Sequence, residues 1–203
     1  MHEPKATLHR YLRTAREAFR WKLDGLSEYD LRRPLTPTAT NLLGLLRHTS
    51  SVEVGYLGEV FGRPFPDAVP WFDECADVNA DMWVPAGETS ASVFAFADRA
   101  AAHADATIAA LDLDAEGRVP WWGDAANPVT LHLILVHVVA EWNRHAGHAD
   151  IVRELIDGEV GLRKGAENLP AVEPSWWIDY RARVERAALD AGGLTDRGPG
   201  PPA

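Results

Sequence analysis

The chain has 203 residues, enough for one domain to bury a sizeable core without disulfide or metal staples. Its formal net charge of −10 repels phosphate backbones and anionic bilayers, so no nucleic-acid or membrane partner is expected. The single cysteine, Cys75, rules out an internal disulfide, and the charged start MHEPKATLHRYLRTAREAF lacks the apolar stretch of a signal peptide or membrane span. The expectation is a cytoplasmic protein.

In chain order, Leu8, Leu12, Ala15, Phe19 and Leu23 recur at three- and four-residue steps, which predicts a helix over Pro4 to Leu23. Asp24-Gly25 breaks it, and Ser27 to Leu31 reads as a short capped turn before the prolines at 34 and 37. Thr40-Asn41 supplies a cap for a second helix that is expected to reach Phe61. A long irregular region from Arg63 to Ala86 follows, rich in proline and aromatics, and either packs over the core or lines a pocket. Thr89-Ser90 caps a third helix running to Leu111, and a second loop spans Asp112 to Asn127.

The fourth helix carries the strongest signal. Pro128 is read as its first-turn residue and Gly158 as its stop. A fifth helix is expected over Ser175 to Ala191. No segment alternates like a strand. The fold class is therefore all-α: a four-helix bundle with long connecting loops and an extra C-terminal helix. Residues 1–192 form one domain and 193–203 a disordered tail.

The fourth helix also concentrates the chemistry. At roughly 100° per residue, Leu131, Ile134, Val138, Trp142, Ala149 and Val152 form an apolar stripe that includes His145. Glu141 lies one turn earlier on its flank, with His137 and His148 on the shoulder. A carboxylate beside an apolar stripe is costly to bury unless it is paired or ligates a metal. Glu at one position and His four residues on can hold one divalent ion, with a third ligand from His148 or from another helix. His48 on the second helix is the leading donor there, although Glu53 lies nearer the centre of its stripe and Glu59 shares its shoulder. A two-imidazole, one-carboxylate set suits zinc first, and nickel or iron as well. The alternative is that Glu141 and His145 only stabilise the helix.

Other candidates are weaker. His2, His9, His103 and His132 read as ordinary surface or hydrogen-bonded residues. Cys75 sits beside Glu74 and Asp77, which disfavours a thiolate nucleophile. Trp21 and Trp142 fit the core. Trp71, Trp83, Trp121 and Trp122 lie in loops, as packing residues or as the wall of a pocket mouth.

Three stretches, Gly25 to Glu53, Glu88 to Asp114 and Val129 to Gly158, resemble the DinB-like superfamily. The string RHAGHADI (144–151) is the most specific part. The likeness is to an actinobacterial branch catalogued as a domain of unknown function, related to mycothiol-dependent maleylpyruvate isomerases and thiol transferases. It implies a four-helix bundle with three metal ligands, one on the second helix and two a turn apart on the last. The matching positions here are His48, Glu141 and His145. Many relatives have histidine where this chain has Glu141, and glutamate there marks the mycothiol branch. His148 becomes the catalytic candidate, as a proton shuttle or a fourth ligand. The implied activity is S-transfer to, or isomerisation of, a small electrophile with a low-molecular-weight thiol cosubstrate. A metal-dependent hydrolase and a non-enzymatic, stress-associated metal binder are the alternatives. Apolar surface on the bundle helices makes a homodimer an expectation.

Overall fold

The computed structural model describes residues 3–73 and 75–194. The helices are α1 (Pro4–Trp21), α2 (Glu28–Arg32), α3 (Leu42–Leu57), α4 (Ser90–Ala110), α5 (Leu131–Asp157) and α6 (Pro174–Ala191). The residues that start them are those expected to satisfy free first-turn N–H groups. Asn41 Oδ1 accepts from Gly44 N at 2.7 Å, and Thr89 Oγ1 accepts from Ser92 N. Gly158, at φ 79°, closes α5 in the left-handed conformation that glycine adopts without strain.

The two largest differences from the expected helix boundaries lie at the end of α3 and the start of α5. The second helix stops at Leu57 rather than Phe61. A Cβ on Gly58 would lie 2.4 Å from Val54 O and 2.9 Å from Arg63 O, so the chain is pinched there, and a separate 3₁₀ turn covers Glu59–Phe61. Pro128 is not in the first turn of α5. Thr130 is the cap, its Oγ1 accepting from Leu133 N. The residues before it pair as a two-residue ribbon, β1 (Glu116–Gly117) antiparallel to β2 (Val129–Thr130), too short to leave an alternating pattern.

Helix α1 packs on α5, α5 on α3 and α3 on α4. The ion pairs Arg16–Asp105 and Arg20–Asp98 join α4 back to α1, closing the four-helix bundle. The core runs through Leu12, Phe19, Leu45, Leu57, Ile134 and Trp142. Phe19 and Trp142 meet edge to face at 5.6 Å. Helix α3 is buried on nearly every side, which is why its apolar residues do not form one narrow stripe. The chain divides into two compact units. Residues 1–167 contain the bundle, and α6 is the described helix of residues 168–203. Positions 195–203, most of the expected tail, lie outside the described residues, as does His2. Among the described residues no helix is long and apolar enough to cross a membrane.

Burial of α3 brings charge inside. Glu53 is 0% exposed, and its Oε1 accepts from Arg16 Nε at 2.7 Å and lies 2.6 Å from Nη2. Burial pushes the Glu53 carboxyl up to about 7, against the pull of Arg16. Glu53 is thus a partner of Arg16 and is outside the metal-ligand group.

The start of α3 also takes the weight of the 63–86 loop. A Cβ on Gly44 would fall 1.8 Å from Met82 O, and Asn41 Nδ2 donates to that same carbonyl at 3.0 Å. Gly44→Ala is therefore expected to displace the 3₁₀ turn Ala80–Met82 and to cost about 1–3 kcal/mol. Urea unfolding measures it, and a midpoint unchanged from wild type would show that the turn moves aside freely.

Candidate metal centre

His48 comes from the middle of α3, and Glu141 and His145 from successive turns of α5, which packs against it. One ligand atom from each lies within 4.8 Å of the others. Among the described residues this is the group that could hold a metal ion. The His48 and His145 rings meet edge to face at 4.8 Å, and His145 Nε2 lies 3.4 Å from Glu141 Oε2. His145 is buried, as its place in the apolar stripe implies.

The protonation states fit a metal. Burial, and then the neighbouring His48, lower the His145 pKa to about 4, so its imidazole is neutral and keeps a lone pair for an ion. His48 Nδ1 lies 2.6 Å from Asp81 Oδ2, and that bond holds the Asp81 carboxyl below the usual range. Asp81 is thus ionised and accepts the Nδ1 proton, leaving Nε2 of His48 as the free donor. A carboxylate behind a ligating histidine fixes the ring and raises its basicity.

His148 lies outside the three-residue group. Its Nδ1 is 3.3 Å from Nδ1 of His145, while Nε2 of His145 faces Glu141. His137 is separated from the group in another way. Its ring packs on Tyr56 at 4.6 Å and on Trp122 at 5.3 Å. Glu59 is exposed on the turn after α3. His9 bonds Asp105, His103 bonds Arg63 O, and His132 is exposed.

A cavity of 660 Å³ opens beside His48. Its wall comes from one face of α3, from the 63–86 loop and from Trp121. Of the loop tryptophans, Trp121 lines this cavity, while Trp71 packs on Phe96 at 5.1 Å. Trp142 is in the core as expected, whereas Trp21 is only partly buried under Lys22.

The profile of the mycothiol-S-transferase family matches residues 7–158. The chain belongs to that family. This mycothiol-S-transferase family member is DinB-like, and the match runs from the first turn of α1 through α5 and includes all three clustered residues. A crystal structure of a conserved protein from Enterococcus faecalis superposes with a TM-score of 0.59. It covers 78% of this chain and 100% of its own at 17% identity, which establishes a common fold. No functionally curated protein matches the chain.

Two residues at the site of this family member escaped the sequence reading. Asp81 belongs to the irregular loop, where no periodicity marks a residue. Tyr56, two turns beyond His48, sits at the cavity and accepts hydrogen bonds from Trp121 Nε1 and Trp122 Nε1, each at 3.0 Å. The Trp121-Trp122 pair was the available signal for it. Two adjacent indoles in a loop both need an acceptor when they pack inward.

Proposed function

We propose that the protein is a metal-dependent thiol S-transferase. In this reading His48, Glu141 and His145 hold a divalent ion, zinc before nickel or iron. A low-molecular-weight thiol of the mycothiol type then meets a small electrophile in the cavity beside His48. The observation that carries it is the convergence of three ligand atoms within 4.8 Å next to a 660 Å³ cavity, in a chain of the mycothiol-S-transferase family. The ion supplies Lewis acidity that favours the thiolate form of the cosubstrate at neutral pH.

The chain does the rest. Asp81 holds the His48 ring, and the apolar side of α5 keeps water from His145. The cavity wall orients the electrophile against the thiolate sulfur. A carbon–sulfur bond forms while the leaving group departs, or addition and elimination isomerise the acceptor. His148, exposed behind His145, orients that ring through its Nδ1, and the thiol proton leaves to solvent. No protein nucleophile is needed, and Cys75 is exposed in the loop away from this role. The reaction belongs in the cytoplasm, where such thiols are kept reduced.

The test joins metal analysis of the protein as purified with conjugation of mycothiol to monobromobimane. About one ion per chain is expected, with conjugation above the uncatalysed rate and loss of both on chelation. Metal-loaded protein that gives no conjugate above background sinks the transferase, and ester cleavage by the same protein would put a hydrolase in its place.

Asp81→Ala is expected to weaken metal affinity by about 10–100-fold while leaving the three ligands in place. Competition with a chromogenic chelator reads this directly. Unchanged affinity would deny Asp81 its supporting role.

A further inference from the structure

The hydrogen-bond inventory of the cavity beside His48 is one-sided. Its lining includes Glu59, Asp67, Asp73 and Asp81 but no lysine or arginine. Asp81 is taken by His48, and Asp67 by Arg99 at 2.7 Å. Glu59 and Asp73 have no ion-pair partner among the described residues.

The donors on the same wall are spent. Ser51 Oγ donates to Arg47 O at 2.7 Å and accepts from Trp71 Nε1 at 2.8 Å. Trp121 Nε1 donates to Tyr56, and His48 Nδ1 to Asp81. A phenol has two lone pairs and one proton. Both lone pairs of Tyr56 receive indole N–H groups, so its hydroxyl proton is the one side-chain donor left to a ligand.

The apolar part of the wall joins the aromatic rings of Phe65, Phe72 and Trp121, beside Tyr56, to Val52, Val54 and Val69. Aromatic faces attract cations and repel anions. A chain of net charge −10 concentrates cations around itself.

We propose that this cavity selects a cationic, amine-bearing small molecule and rejects carboxylate and phosphate compounds of the same size. The proposal deepens the thiol-transferase reading, because it assigns the chemical class of a substrate to that site. An ammonium group would sit between the aromatic faces with Glu59 or Asp73 as counter-ion. The Tyr56 hydroxyl would meet whatever acceptor the molecule carries.

Three probes of one size decide it: benzylamine, benzyl alcohol and phenylacetate. Their affinities are measured at pH 7 by ligand-observed NMR, on the protein as purified and again after chelator treatment. Benzylamine is expected to bind about tenfold more tightly than phenylacetate, with benzyl alcohol between them. In Glu59→Gln/Asp73→Asn the ratio should fall to within about threefold. In Asp112→Asn/Asp114→Asn, an equal charge change on an exposed turn, it should stay near the wild-type value. The chelator-treated protein keeps the preference, since the preference needs no metal.

Equal binding of the two charged probes there, or a ratio that survives Glu59→Gln/Asp73→Asn, overturns the proposal. The two readings also fail separately. A preference for benzylamine without mycothiol conjugation sinks only the reaction. Conjugation without the preference sinks only the cationic substrate.

Discussion

In the proposed metal-dependent transferase, replacing His145 by alanine is expected to strip the ion and to lower S-transfer at least about a hundredfold, with the helical bundle intact. The site offers three side-chain donors, and losing one leaves a two-ligand site. Removing a supporting partner alone typically costs 10–100-fold in metal affinity, so a direct ligand should cost more. His145 is buried, and truncation opens a gap in α5. Glu141→Gln therefore serves as the second variant, because it keeps the size of a partly exposed side chain and removes only its charge. Metal content by mass spectrometry, thermal unfolding and bimane conjugation are read together. Both variants should lose metal and rate while keeping their far-ultraviolet dichroism. Stoichiometric metal in either variant would take that residue out of the coordination set.

The fold was legible because the bundle helices announce themselves by apolar period and by capping residues. Asn41, Thr89 and Gly158 mark ends where the structure has them. What escaped depends on the local path of the backbone. The stop at Leu57 is set by how closely Gly58 meets Val54 and Arg63, a contact that no periodicity records. For the site, helical geometry placed Glu141 and His145 on one side of a helix, but spacing could not decide between His148 and a residue elsewhere. The resemblance pointed to His48, and the packing of α3 on α5 puts it beside the other two. Asp81 and Tyr56 were beyond reach for a different reason. Each acts through a partner 33 to 66 residues away in the chain, across loops that carry no pattern.

Helix α3 explains why structure and site are hard to separate. It is the most enclosed element of the bundle, yet it supplies His48 to the metal group and one wall to the cavity. Its first turn is held by the loop that carries Asp81, through the contact of Gly44 with Met82. A disturbance of that loop should therefore reach the metal group through His48 before it reaches the core. The Gly44→Ala and Asp81→Ala variants should share a loss of metal affinity, and only the first should lose stability.

Arg16→Leu is expected to destabilise the protein by about 3–5 kcal/mol at pH 8, because it leaves the Glu53 carboxylate buried without a counter-ion. The cost should shrink at pH 5, where Glu53 takes up a proton instead of remaining charged. The wild type should show a milder form of the same dependence. Burial raises the Glu53 pKa from 4.5 to about 7, so the folded state holds that proton more tightly than the unfolded chain does. The resulting stabilisation is fully present below about pH 4.5 and is lost as pH rises through about 7, at up to roughly 1.4 kcal/mol per pH unit. Glu53→Gln removes the titrating group and should flatten this part of the stability curve, while Arg16→Leu removes the group that lowers the Glu53 pKa and should carry the loss on to higher pH. Urea unfolding at pH 5, 6.5 and 8 tests all three proteins. Parallel curves for wild type and Glu53→Gln would mean that Glu53 does not titrate in that window, and that its carboxylate is held by Arg16 at every pH examined.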